Sequence, residues 1–338
     1  MKKLKKLLKM SLPLLLAFFI VFSPAATSTS LADSPSANTR DLAAQSGDYI
    51  YYSVYNKIYR VNTATKAKKL IHTRKSGGKF YDLVVYKGYI YCVLDTCDGT
   101  GEFYPYIYRV KTNGTNAKII EKGEHPYVYQ DKIYYSRLSF VDGDFDSIKY
   151  LGLYKMTLSG NSKTKLSSVI PLDINVYKSY VYYTGNAGTY RRKIDGSNYR
   201  KLSSNTFEIF DIYKDNIYYN SYDYDYNNYD VYKYSINSKR NSLFVPSTEG
   251  FAVENGYLYS TNTYYDLNYP GETYIKRTGL SSKSEYLIAR KKNVYSITLK
   301  DDYFFYLSEG SSLSKNTRAS IMRKDGRYNT TLIEYYLS

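Results

Sequence analysis

The chain has 338 residues, a formal net charge of +16, 46 tyrosines and no tryptophan. That length holds one large repeat domain or two ordinary ones. Two cysteines and two histidines leave no Cys/His cluster for a zinc site, and a histidine-dependent reaction would have to use His72 or His125.

The first ten residues carry five lysines, an apolar run follows from Leu12 to Val21, and small residues end at Ser30-Leu31-Ala32 before Asp33. A basic head, a short apolar stretch and a small-x-Ala site make a secretory signal peptide, expected over 1–32. Cleavage is expected after Ala32, with Ala26 as the alternative and an uncleaved anchor as the competing reading. The run is shorter than the roughly 20 residues of a membrane-spanning helix, and no later stretch approaches that length. No transmembrane segment is therefore expected after cleavage. Residues 33–40 (DSPSANTR) read as a linker, and 41–338 as one domain. Loss of the five leader lysines lowers the charge to about +11, which suits anionic partners and also serves solubility alone.

From residue 47 onward one segment recurs: GDYIYY (47–52), KGYIYC (87–92), QDKIYY (130–135), KSYVYY (178–183), KDNIYY (214–219), ENGYLYS (254–260) and DDYFFY (301–306). The spacing of roughly 36 to 48 residues is that of propeller blades. Each copy alternates as a half-buried strand does. A short apolar strand precedes each copy, and a strand such as KIYRV (57–61) or DVYKY (230–234) follows a loop of variable length. Next come a polar turn such as KIDGSN (193–198) and a last short strand. Gly and Asn in those turns supply the positive φ of tight hairpins. The expected fold is all-β, a seven-bladed β-propeller of four-stranded antiparallel blades, with six blades as the alternative. The first unit fits the alignment least well, with Leu42 in a polar column and Gln45 in an apolar one.

Two columns of the first strands are apolar, for example Val85, Val128 and Val176, and Leu83, Ile174 and Phe210. The alternating columns are more polar: Tyr127, Asn175 and Asp211, and before them Asp82, His125 and Asp173. By the period of two these six are expected to face the central channel and to line its mouth. A histidine between carboxylates suits an acid–base or metal constellation, and a wet polar lining is the plainer reading. The tyrosine column Tyr51, Tyr91, Tyr134, Tyr182, Tyr218 and Tyr259 reads as packing, so nucleic acid is not an expected partner.

Loops between the second and third strands are long and acidic, and turns on the opposite rim carry lysine and arginine. A dipolar disc is expected, with an anionic polymer as a candidate partner for the basic rim. Asp142, Asp144 and Asp146, and Asp223, Asp225 and Asn227, place oxygen ligands at alternate positions, as a calcium loop begins. Neither has the glycine or the closing glutamate of such a loop, so Ca²⁺ is the one candidate ion and no other cofactor is expected. Cys92 and Cys97 are expected to form a disulfide across a small loop.

The stretch GTYRRKIDGSNYRKL (188–202) resembles the strand–turn–strand of low-density-lipoprotein-receptor-type propellers, and Tyr182-Tyr183-Thr184-Gly185 stands where that family has its YWTD signature. The chain is similar to a secreted bacterial branch of such propellers, to which no activity is assigned. The resemblance implies protein or glycan binding rather than catalysis. The leading expectation is a secreted or cell-envelope-associated monomer, a non-catalytic module contacting protein or envelope glycan through its long-loop face. A polysaccharide-active enzyme using Asp82, Asp173 and Asp211 is the alternative, and a structural envelope scaffold the third reading.

Overall fold

The computed structural model describes residues 42–338, apart from 98–102, 142–143, 208–209, 224–227, 249, 267–268, 293, 301–302, 310–315, 328 and 337–338. All regular structure in it is antiparallel β. No helix of the described residues is long and apolar enough to cross a membrane.

The strands form four-stranded meanders in strict chain order. The first is β1 (Ala43–Ser46), β2 (Tyr49–Val54), β3 (Lys57–Asn62) and β4 (Lys68–Thr73). A seven-stranded sheet follows: β5 (Lys79–Tyr86), β6 (Tyr89–Cys97), β7 (Phe103–Lys111), β8 (Lys118–Tyr129), β9 (Lys132–Val141), β10 (Asp144–Thr157) and β11 (Thr164–Ser167). Four more sheets have four strands each. They are β12 (Asp173–Tyr177) to β15 (Arg200–Ser203), β16 (Phe210–Tyr213) to β19 (Asn241–Val245), β20 (Gly250–Glu254) to β23 (Glu285–Lys292), and β24 (Val294–Lys300) to β27 (Thr330–Tyr336). Their hairpins are β13 (Tyr180–Gly185) with β14 (Gly188–Lys193), β17 (Asn216–Asp223) with β18 (Asn228–Ser235), β21 (Tyr257–Asp266) with β22 (Tyr269–Gly279), and β25 (Tyr303–Glu309) with β26 (Asn316–Arg323).

The seven-stranded sheet is two meanders that share β8. Residues 118–122 pair with β7 as an outermost strand, and 123–129 pair with β9 as an innermost one. Gly123 sits at the handover. A Cβ there would stand 2.6 Å from the Ser136 carbonyl oxygen and 2.9 Å from the Tyr135 ring, closer than real Cβ contacts.

One register runs through every meander. Ala44 faces Tyr51, Val84 faces Tyr91, Tyr127 faces Tyr134, Asn175 faces Tyr182, Asp211 faces Tyr218, Ala252 faces Tyr259 and Thr298 faces Phe305. The first meander therefore keeps the common register. Gln45 occupies its apolar column at the edge, and its amide bonds the Gly47 carbonyl.

The wet lining expected of the column with Tyr127, Asn175 and Asp211 is corrected by the packing. Meanders stack face to face, so both faces of an innermost strand are covered. Leu83 packs backward on Ala44 and Tyr51 of the meander before it, and Tyr127 packs forward on Ile174 and Val176 of the one after. The column Ala44, Val84, Tyr127, Asn175, Asp211, Ala252 and Thr298 is buried throughout, rather than wet. First strands touch in succession from β1 through β5, β8, β12 and β16 to β20, and β24 returns to β1. Ile50, Tyr52 and Val61 share a core with Phe305, Ile321 and Leu332, which closes the arrangement as a β-propeller.

The tyrosine column is packing, as its spacing implies: Tyr91, Tyr134 and Tyr218 are at most 2 % exposed. Tyrosines outside the column use their hydroxyls to reach neighbouring meanders. Tyr129 donates to the Lys178 carbonyl at 3.1 Å, Tyr234 to Leu202 at 3.1 Å, and Tyr303 to Thr63 at 3.3 Å across the closure. Cations join in: Arg60, Arg109, Arg191 and Arg277 lie 4.7–5.2 Å above Tyr49, Tyr89, Tyr180 and Tyr257. Arg109 also donates to the Leu158 carbonyl, and Lys155 to that of Ile194, each one meander on.

The dipolar disc is corrected as well. The rim of the first-to-second-strand turns pairs Lys87 with Asp131 at 2.6 Å and Lys178 with Asp215 at 2.8 Å. The long-loop rim carries Lys57, Arg74 and Lys75 beside its acidic residues. Both rims hold both signs.

The expected disulfide does not fit either. Cys92 is a free, buried thiol, and burial pushes its pKa up. Both cysteines lie on β6, whose register against β7 is unbroken from Tyr89 to Cys97. Five residues of extended strand span about 16 Å, far beyond the roughly 7 Å that a disulfide bridges.

Candidate functional site

Four of the six residues singled out from the sequence, Tyr127, Asp173, Asn175 and Asp211, link successive innermost strands. Tyr127 donates to Asn175 Oδ1 at 3.2 Å. Asn175 in turn bonds the Asp211 carboxylate. Asp211 accepts the backbone N–H of Ile212 at 2.8 Å and, from the next meander, that of Val253 at 2.9 Å. Asp173 does the same one meander earlier, accepting from Ile174 at 2.7 Å and from Phe210 at 3.2 Å. An innermost strand has one edge without a ladder partner, and its N–H groups need acceptors. These aspartates supply them and tie each first strand to the next.

Burial pushes the Asp211 carboxyl up to about 7, against the lowering effect of its hydrogen bonds from Val253, Ile212 and Asn175. Asp173 is raised in the same direction, by burial first and then by the charges of Asp82 and Asp211, although hydrogen bonds from Phe210 and Ile174 oppose the shift. Such shifts accompany catalytic carboxyls and structural ones alike. Here geometry decides: both oxygens of each group are engaged by backbone, so Asp173 and Asp211 are positioned as staples.

Asp82 and His125 form a different pair. Each sits at a break in register, between Tyr81 and Val84 and between Glu124 and Tyr127, and each has φ of +53°. Positive φ is costly for residues with a Cβ, and a bulge re-aims the side chain it carries. The result places His125 Nδ1 3.9 Å from Asp82 and Nε2 3.9 Å from Glu124. Asp82 is buried beneath, while His125 and Glu124 remain 19 % and 18 % exposed and reach solvent at the axial mouth. Glu124 also hydrogen-bonds Tyr150 of β10. Neither Glu124 nor Tyr150 was picked out from the sequence, and only adjacency to His125 could have flagged Glu124.

The mouth opens on the rim of the second-to-third-strand hairpins, which differ in height. The β2–β3 and β13–β14 hairpins have six residues per strand and two-residue turns. Strands β6 and β7 have nine each, β9 and β10 have 10 and 14, and β21 and β22 have 10 and 11. At about 3.3 Å per residue the taller hairpins rise roughly 10 Å or more above the short ones. Tyr104, Tyr106, Leu138 and Phe140 form a separate apolar cluster that welds the β6–β7 and β9–β10 hairpins into one wall.

Asp142, Asp225 and Asn227 lie outside the described residues, as do the side chains of Asp144, Asp146 and Asp223. Among the described residues no group of three or more His, Cys, Asp and Glu is arranged to hold a metal. Open clefts of about 520 and 460 Å³ lie away from the mouth, one on the opposite rim beside Lys87 and Arg109 and one beside Arg192 and Tyr199.

No family model and no curated protein matches the chain. Among solved structures it is similar to a puromycin-hydrolyzing peptidase of Mycobacterium tuberculosis, with a TM-score of 0.64 and 7 % identity over 89 % of this chain and 54 % of that one. It is also similar to a puromycin hydrolase S511A mutant complexed with PGG, with a TM-score of 0.58 and 9 % identity over 93 % of this chain and 57 % of that one. The chain thus spans little more than half the length of these enzymes, and the likeness is one of fold.

Proposed function

We propose that the chain is a secreted or envelope-associated binding module, a seven-bladed propeller that engages a protein or envelope glycan through its tall-hairpin face. The blade count follows from reading β8 as the last strand of the second blade and the first of the third. The observation that supports binding most is the uneven rim. Two hairpins are extended and welded by a private apolar cluster, although the blades beneath need no such addition. Raised, rigid hairpins around an axial mouth are where a propeller places ligand contacts. The engagement of Asp173 and Asp211 by backbone favours binding over hydrolysis with these carboxylates.

The test is capture of envelope material by the full chain, with a glycan array beside it. A variant with the β9–β10 hairpin shortened to a two-residue turn after Leu138 is compared at equal thermal stability. Loss of capture with the hairpin supports the reading; undiminished capture overturns it.

A further inference from the structure

The outer part of the interface between the β8–β11 and β12–β15 meanders holds an open cleft of about 460 Å³, lined by Lys165, Leu166, Ser167, Ser168, Arg192 and Tyr199. Tyr190 of β14 packs toward the earlier meander, in one core with Leu153 and Leu166. Arg192 lies two residues further along the same strand and takes the same face. Lys201 pairs with Tyr190 across the β14–β15 ladder and takes that face too. Two cations from different meanders thus line the cleft, and a third borders it.

None of the three forms an ion pair among the described residues. Carboxylates of the same meanders are engaged elsewhere. Glu121 takes Lys163 and Arg137, and Asp195 accepts the Ser197 N–H of its own turn at 2.7 Å. From 151 to 207 the sequence sets nine lysines and arginines against two aspartates, Asp173 and Asp195, and Asp173 is buried on an innermost strand. Arg192 Nε is buried and has no acceptor. The Arg192 guanidinium lies 5.2 Å over Tyr199, which extends the stacked row of Tyr183 and Tyr190. The ring holds the guanidinium by its face, and the N–H edge is left for an oxyanion. The cleft beside Lys87 and Arg109 differs. There Lys87 pairs with Asp131 and Arg109 donates to the Leu158 carbonyl at 2.9 Å, so both are engaged.

We propose that this cleft binds an oxyanion, phosphate or carboxylate, carried on an acidic glycan. Arg192 supplies paired N–H donors, Lys165 a point charge from the opposite wall, and Ser168 an exposed hydroxyl. Lys201 extends the positive surface past the reach of one anionic group, which suits a chain with repeated charges. Single-stranded nucleic acid calls for successive open rings. Here Tyr183 and Tyr190 are buried and Tyr199 is taken by Arg192, so a polyanion without bases fits better. The site stands apart from the tall-hairpin face and does not depend on what that face binds.

Calorimetry of the full chain at low salt tests the proposal, with octagalacturonate, a phosphomannan oligosaccharide and neutral maltooctaose as probes. At least one acidic chain should bind and the neutral one should not, and the tighter of the two acidic chains identifies the oxyanion. Arg192→Gln should weaken that binding about tenfold, and Lys165→Gln and Lys201→Gln about threefold each, with melting temperatures unchanged. Lys69→Gln, on β4 of the first meander, should leave it as it was. If Arg192→Gln fails to fold, the exposed Lys165 and its variant carry the same comparison. Binding of neither acidic chain, an equal loss in Lys69→Gln, or tighter binding of an oligothymidylate of the same charge overturns the proposal.

Discussion

Asp211 connects residue chemistry to stability. Its carboxyl titrates near 7 in the folded chain, above its ordinary value of 3.8. The native state therefore holds a proton that the unfolded chain releases at lower pH. The stability this provides is complete below about pH 4 and is lost as pH rises to about 7. Asp173, raised in the same direction, adds to the trend. Melting temperature should fall across that window, and Asp211→Asn should flatten the fall. A variant with the wild-type slope would show that Asp211 is not the titrating staple. At this scale the sequence was readable in one respect and misleading in another. The alignment of first strands brought Asp82, His125, Tyr127, Asn175, Asp173 and Asp211 into one group; Tyr127, Asp173, Asn175 and Asp211 link successive first strands, and Asp82 and His125 pair apart from them. Their direction was not readable, because a period of two separates two faces without saying what covers each. Positive φ at Asp82 and His125 was equally invisible, since neither residue type announces a bulge.

At the scale of elements, β8 shows how one strand can belong to two meanders. Gly123 makes this possible by letting β8 pass close to Ser136 and Tyr135. Gly123→Ala should cost about 1–3 kcal/mol, the usual range for overpacking, read as a shift in denaturant midpoint. A midpoint unchanged by the substitution would place the handover elsewhere. The repeat motif located the second and third strands well, because alternation and hairpin turns are local signals. It said nothing of a shared strand, since the polar stretch EKGEHP (121–126) reads as a loop rather than as the middle of a ladder. The two cysteines were misread for the same reason. A spacing of five suggests a small loop, yet an unbroken register turns it into extended strand that holds the two backbone positions apart. Hairpin heights, by contrast, were legible in the variable loops after each tyrosine motif.

At the scale of the whole molecule, face-to-face stacking of the blades explains why tyrosine is so abundant and tells least about the ligand. Rings fill the interfaces, hydroxyls bond carbonyls of neighbouring blades, and arginines lie over the rings. Function is left to what the repeat does not constrain: hairpin height and the mouth between the hairpins. The central claim is that partners sit on this face. Hydrogen exchange of the full chain, measured with and without a saturating envelope extract, tests it most directly. Slowed exchange should include segments around 94–97 and 138–141. Slowing confined to the turns of the opposite rim, around 111–116, 158–163 and 193–198, would contradict it.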